Sequence, residues 1–187
     1  RRTYTPPESR FSTPATTVLL RAQHNLPAQV TEFVGREAEL AELAKLLDDP
    51  KLRLITILAP GGMGKTRLSL EAAERQLGSF RDGVYFVELA PLNDHNAIVP
   101  AIAEATGYQF QSENREEKGQ LLNFLGNKRL LLVMDNFEHL LAGAPLVTEI
   151  LNAAPNVQIL ATSRRRLALE GETLFHLSGM DFPEWET

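Results

Sequence analysis

No cysteine occurs among the 187 residues. That absence removes disulfides, a thiolate nucleophile and any cysteine-based zinc site, and it fits a reducing, cytoplasmic setting. Long apolar runs are missing too. The longest are short, like "LLLVM" at 130–134, far below the roughly 20 residues a bilayer span needs. No basic-then-apolar leader opens the chain. An excess of positive charge is also lacking. The formal net charge is -5, whereas nucleic-acid backbones demand a basic face, so direct nucleic-acid binding is not this segment's task. Arg1 stands where an initiating methionine would be, which reads as a piece cut from a longer protein. What remains is the composition of an ordinary globular chain, 43% hydrophobic and 23% charged, long enough to bury a substantial core.

Residues 1–30 are rich in Pro, Thr and Ser and show no helical or strand period. They read as a linker or partly disordered extension, with a short apolar docking piece at Val18 to Leu20. From Gly35 the texture changes. Ala38, Leu40, Ala41, Leu43, Ala44, Leu46 and Leu47 form a broad apolar stripe over 36–48, an amphipathic helix ended by Asp48, Asp49 and Pro50. Strands are expected at 52–59, 83–90, 128–135, 156–163 and 172–179. Helices are expected at 64–78, 93–107 (bent or interrupted near Pro100), 113–127 and 144–154. The strands are near-continuous apolar runs, so both of their faces must be covered. That pattern predicts an α/β fold, a three-layer arrangement with a five-stranded, mostly parallel sheet and helices on both faces.

The punctuation after the first strand carries the chemistry. "LITILAPGGMGKTRLSL" at 54–70 breaks an apolar run with a proline and three glycines, then opens a helix. Gly61, Gly62 and Gly64 let successive N–H groups turn inward as an anion nest, and the helix start adds its free amides and positive dipole end. Lys65 can reach β- and γ-phosphate oxygens, and the Thr66 hydroxyl can serve Mg²⁺. This is the P-loop, or Walker A, pattern. Ala59 stands where that pattern usually has glycine. "RLLLVMDNFEH" then carries apolar residues into Asp135, whose carboxylate would emerge at the same sheet edge and hold Mg²⁺ directly or through water, a Walker B strand. Glu138 is the first candidate to orient an attacking water and Asn136 the second, although Asn is a poor base. "ILATSRRRL" ends a buried strand at Thr162, Ser163 and Arg164. Arg164 beside the phosphates could contact the γ-phosphate. Three arginines in an acidic domain make a poor nucleic-acid patch.

Together "FVGREAEL" (33–40), "GGMGKTRL" (61–68), "LLLVMDNFEHL" (130–140) and "ILATSRRRL" (159–167) resemble the STAND class of P-loop ATPases. The nearest likeness is to the NB-ARC-like modules of large LuxR- and AfsR-type bacterial transcriptional regulators, and it covers roughly residues 26–180. The resemblance implies a sheet whose Walker A and Walker B strands are separated by the sensor strand, with Arg164 as the sensor arginine. It implies that Val34, Gly35 and Arg36 line the adenine and ribose side, beside a nucleotide cradle of Gly61, Gly62, Met63, Gly64, Lys65, Thr66 and Arg67. It further implies a nucleotide-binding domain at 31–180 and, at 181–187, a truncated link towards a winged-helix lid, followed in such proteins by repeat or DNA-binding domains.

The expected function is an ATP/ADP-binding switch with slow Mg²⁺-dependent hydrolysis, self-assembling when ATP-bound. A non-hydrolysing interaction module is the main alternative. A small-molecule kinase would need an acceptor pocket and an arginine-rich lid that the sequence does not supply. A DNA-acting AAA+ motor would need an arginine finger and a helical lid, which it also lacks. Adenine over guanine rests on the resemblance, since no guanine-reading "NKxD" stretch occurs.

Overall fold

A computed structural model of the chain describes residues 23–111 and 116–179. The expected docking piece at Val18 to Leu20, the first residues of the helix expected at 113–127 and the link at 181–187 lie outside those residues. In chain order the elements are α1 (Glu37–Asp48), β1 (Leu54–Leu58), α2 (Lys65–Arg75), β2 (Val84–Glu88), α3 (Ile98–Thr106), α4 (Glu117–Leu125), β3 (Leu131–Asp135), α5 (Ala144–Ala153), β4 (Gln158–Ser163) and β5 (Glu172–His176). The five strands form one sheet in the order β2-β3-β4-β1-β5, and all four strand pairs are parallel. Strand β4, which the resemblance makes the sensor strand, lies between β1, which leads into the glycine-rich turn, and β3, which ends in Asp135.

Period-two alternation sends each strand's side chains to two opposite layers. On β3, Leu131 and Val133 join Leu40, Leu43, Leu47, Leu68 and Ala72 of α1 and α2. Leu132 and Met134, their neighbours, join Ile98, Ile102, Leu121, Val147 and Ile150 of α3, α4 and α5. Burial of both faces is why the central strands β1 and β3 are so apolar. Each leucine so enclosed contributes about 1.5–3 kcal/mol relative to exposure.

Several local details differ from the sequence expectation. Strands β1 and β2 are shorter than expected at both ends, β3 and β4 start later and β5 stops earlier, because β pairing stops where the chain turns away from its neighbours. The α1 stripe is narrower: Leu40, Leu43 and Leu47 are buried, whereas Ala38 and Ala41 are exposed. The helix expected at 93–107 begins as a 3₁₀ turn at His95–Ala97, capped by Asp94, which accepts the Asn96 amide. Pro100 then falls in the first turn of α3, where no intrahelical N–H is needed, so it does not bend the helix. Residues at the end of the stretch read as a linker pack on the sheet. Val84 donates to the Gln23 carbonyl at 3.0 Å. The Asn25 side chain accepts from the Phe86 amide at 2.6 Å and donates to its carbonyl at 2.8 Å. Among the described residues no helix is long and apolar enough to cross a membrane.

Candidate functional site

The carboxyl ends of β1, β4 and β3 lie side by side, the rim where open parallel sheets present their ligands. β1 reaches it at Leu58. Ala59 follows, 4% exposed and packed in the core of the α1–α2 layer. A methyl group is thus accommodated where the usual motif has glycine. The chain then bends through Gly62 and Gly64, at φ of 77° and 80°, a left-handed conformation that favours glycine. A Cβ at either position would meet nothing within 4 Å, so it is the backbone conformation that selects glycine there. The amides from Gly61 to Thr66 find no acceptor among the described residues. They form a ring of free donors at the start of α2, as an anion cradle requires.

Lys65 is buried, and its ammonium donates to the Ala59 and Pro60 carbonyls, both at 2.9 Å. One of its three N–H bonds remains. Thr66, next in sequence, places its hydroxyl 2.9 and 3.0 Å from the two oxygens of Asp135 at the end of β3. The Walker A hydroxyl and the Walker B acid therefore meet at one rim. Thr162 on β4 joins them. Its hydroxyl donates to Asp135 Oδ1 at 2.6 Å and accepts the Asn136 amide at 2.9 Å. The donor set is all oxygen, one carboxylate and one hydroxyl open to the cradle. Among the described residues no group of three His, Cys, Asp or Glu side chains gathers elsewhere. That set fits Mg²⁺, which uses few protein ligands and completes its shell with phosphate oxygens and water.

Asn136 has φ 67°, a left-handed position that Asn tolerates better than most residues. Glu138 follows in a 3₁₀ turn, Phe137–His139. Its Oε1 lies 3.2 Å from Arg164 Nε, and its Oε2 is buried without a partner. The Arg164 guanidinium rests on the P-loop: a Cβ added at Gly61 would lie 2.7 Å from its terminal nitrogen. His139 turns away and contacts the Leu92 carbonyl at 3.0 Å.

On the other side of the cradle, the "FVGRE" stretch and the P-loop enclose a cavity of about 550 Å³, within the usual size range for small-molecule sites. Val34 lines it and is 82% exposed. Gly35 and Arg36 are both left-handed, at φ 80° and 61°, and turn the chain into α1. Arg36 donates to the Ser178 carbonyl at 3.0 Å and, more weakly, to the Met63 carbonyl at 3.4 Å. It thereby ties the P-loop to the segment after β5. Arg67 is held by the Gln29 side chain and the Thr31 carbonyl and lies 6.0 Å above the Phe33 ring. The fold thus brings Lys65, Thr66, Asp135, Asn136, Glu138 and Arg164 to one rim, and Val34, Arg36, Met63 and Arg67 to the adjoining cavity, whereas Gly35 shapes the turn without lining it. Sequence reading gave Thr162 no part in the site. Its only signal is a hydroxyl that follows the apolar run Ile159–Ala161 on β4.

Comparison with known proteins places most of the chain in a known family. Residues 50–172 match the family described as an AAA domain. Over 133 residues the chain is 41% identical to a Mycobacterium tuberculosis protein provisionally named as an HTH-type transcriptional regulator, a match covering 71% of this chain and 15% of that one. The regulatory protein AfsR of Streptomyces coelicolor is 30% identical over 182 residues, 89% of this chain and 18% of its own length. The chain thus spans less than a fifth of either relative. Among solved structures, Cdc6p of Pyrobaculum aerophilum has a TM-score of 0.58 at 17% identity, covering 82% of this chain and 47% of that one. The Aeropyrum pernix ORC2 protein in its ADPNP–ADP complexes has a TM-score of 0.57 at 17% identity, covering 78% and 48%. At that identity the structural likeness speaks for the fold alone. Since the family match takes in more than half of the sequence, the chain belongs to the AAA domain family and is a P-loop ATPase domain related to the AfsR-type regulators.

Proposed function

We propose that this chain is the ATP/ADP-binding switch of a larger transcriptional regulator, with slow Mg²⁺-dependent ATP hydrolysis. The observation that carries the reading is the meeting of the Thr66 hydroxyl with both oxygens of Asp135 at the mouth of a ring of free amides. The cradle amides and the remaining Lys65 N–H would bind β- and γ-phosphate oxygens. Thr66 and Asp135 would hold Mg²⁺, which supplies charge neutralisation to the phosphates when bound. Arg164 would contact the γ-phosphate, and Glu138 would orient the attacking water. Val34, Gly35 and Arg36 would border the adenine and ribose. The domain would run over 31–180, with 181–187 leading towards a lid and further domains. ATP would favour assembly and ADP a closed monomer, because a switch requires the two nucleotides to stabilise different arrangements unequally.

The Arg164–Glu138 ion pair gives a second reading some support. A carboxylate engaged by arginine is not free to orient water, as expected of a non-hydrolysing ADP socket. Titration of ATP, ADP and GTP with and without Mg²⁺, followed by thermal stability, tests binding, since a ligand selective for the folded state raises the melting temperature. ATP and ADP are expected to stabilise the chain more than GTP, and Lys65→Ala to abolish the shift. No shift at millimolar nucleotide would defeat both readings. Phosphate release by the purified chain, compared with Lys65→Ala, separates the switch from the socket.

A further inference from the structure

Thr162 is a fully enclosed polar residue at the rim, 1% exposed on the strand between the Walker A and Walker B strands. The Asn136 amide can only donate, so at 2.9 Å the Thr162 oxygen accepts from it. The hydroxyl proton must then go elsewhere, and Asp135 Oδ1 at 2.6 Å takes it. Thr66 reaches both Asp135 oxygens, at 2.9 and 3.0 Å. Oδ1 therefore faces two hydroxyls and Oδ2 only one.

We infer that Thr162 is a positioning residue for the divalent cation accompanying the nucleotide: by engaging Oδ1 it fixes the Asp135 carboxylate, leaving Oδ2 and the Thr66 hydroxyl to the metal and its waters. The inference rests on the nucleotide-binding reading above. The terminal torsion of Asp is broad, so a carboxylate held only by Thr66 would sample other orientations. The same hydroxyl anchors the left-handed Asn136 that starts the turn towards Glu138. Partners of metal-binding groups commonly change metal affinity 10–100-fold when removed.

The test is ATP affinity of the 187-residue chain, measured by calorimetry in magnesium chloride and in EDTA. Thr162→Val is compared with wild type. The ratio of the two affinities is expected to fall about tenfold in Thr162→Val, with the EDTA value unchanged, and Thr162→Ser is expected to restore it. A purely structural role would lower both affinities together and leave the ratio alone. That result, or an unchanged ratio, overturns the inference. Should Thr162→Val fail to fold by circular dichroism, Thr162→Ala removes the same hydroxyl without a methyl in its place, and its ratio decides. A wild-type chain indifferent to magnesium would instead defeat the metal part of the nucleotide reading and this inference with it, whereas magnesium dependence retained in Thr162→Val defeats only the role of Thr162.

Discussion

Arg164 and Glu138 share an ion pair but not an environment. The arginine side chain is 63% exposed and the glutamate 15%. Solvent screens such a pair, and exposed pairs contribute about 0–1 kcal/mol. Arg164→Ala should therefore lower the melting temperature by no more than about 4 °C. Under the proposed function its effect is expected on recognition instead. The guanidinium rests on Gly61 of the phosphate cradle, so its loss should remove discrimination between ATP and ADP while ADP affinity persists. Parallel calorimetric titrations check this, and an unchanged ATP-to-ADP ratio would refute a γ-phosphate role. The sequence placed Arg164 at a strand end, but it held no sign of its pairing with Glu138, 26 positions away. Such a pairing depends on two loops from different strands reaching one rim.

A small staple joins the chain ahead of β2 and β3 at the opposite end of the sheet. Asp82 donates its amide to the Arg129 carbonyl at 3.0 Å, and the Arg129 amide returns to Asp82 Oδ2 at 2.7 Å. Burial alone would raise the Asp82 carboxyl. The Arg129 amide, the Arg81 side chain and the nearby Lys128 charge outweigh it and hold the group below its ordinary 3.8. A carboxyl depressed by folding adds stability that is complete above its unfolded value and is lost as pH falls through the folded one. The loss therefore falls below about pH 4. Urea denaturation across the acid range should show a shallower decline for Asp82→Asn than for wild type, and identical slopes would dismiss the staple. Element type was readable from apolar runs because the central strands β1, β3 and β4 are covered on both faces. Element ends were not, because pairing and capping, not composition, decide where a strand or helix stops.

Residues 23–31 link distant parts of the molecule. Asn25 imitates a strand at the free edge of β2, offering its amide group to both backbone groups of Phe86. A few residues later Gln29 and Thr31 hold Arg67 on α2, beside the cradle. This strap connects the outer edge of the sheet to the nucleotide rim. Removing the two edge bonds with Asn25→Ala should cost about 1 kcal/mol locally without unfolding the domain, since water reaches an edge strand. Hydrogen exchange at the Phe86 amide should quicken several-fold, while exchange in β4 stays slow. An unaltered Phe86 rate would show that the strap does not protect the edge. The lack of any helical or strand period in residues 23–31 concealed this attachment, because one backbone bond to Gln23 and the Asn25 side chain, not a periodic pattern, make it.

From the amino-acid order alone came the α/β layering, the glycine bend, the carboxylate closing a buried strand and the likeness to AfsR-type ATPases. All of these are written in short contiguous stretches, through periodicity, backbone conformational preference or motif. Tertiary structure alone decided the rest. Thr162 became a partner of Asp135, Arg164 a partner of Glu138, and Arg36 a tie between Met63 and Ser178, each across 26 residues or more. Hydrogen bonds form between groups within about 3 Å, and only the sheet order β3-β4-β1 sets those groups that close.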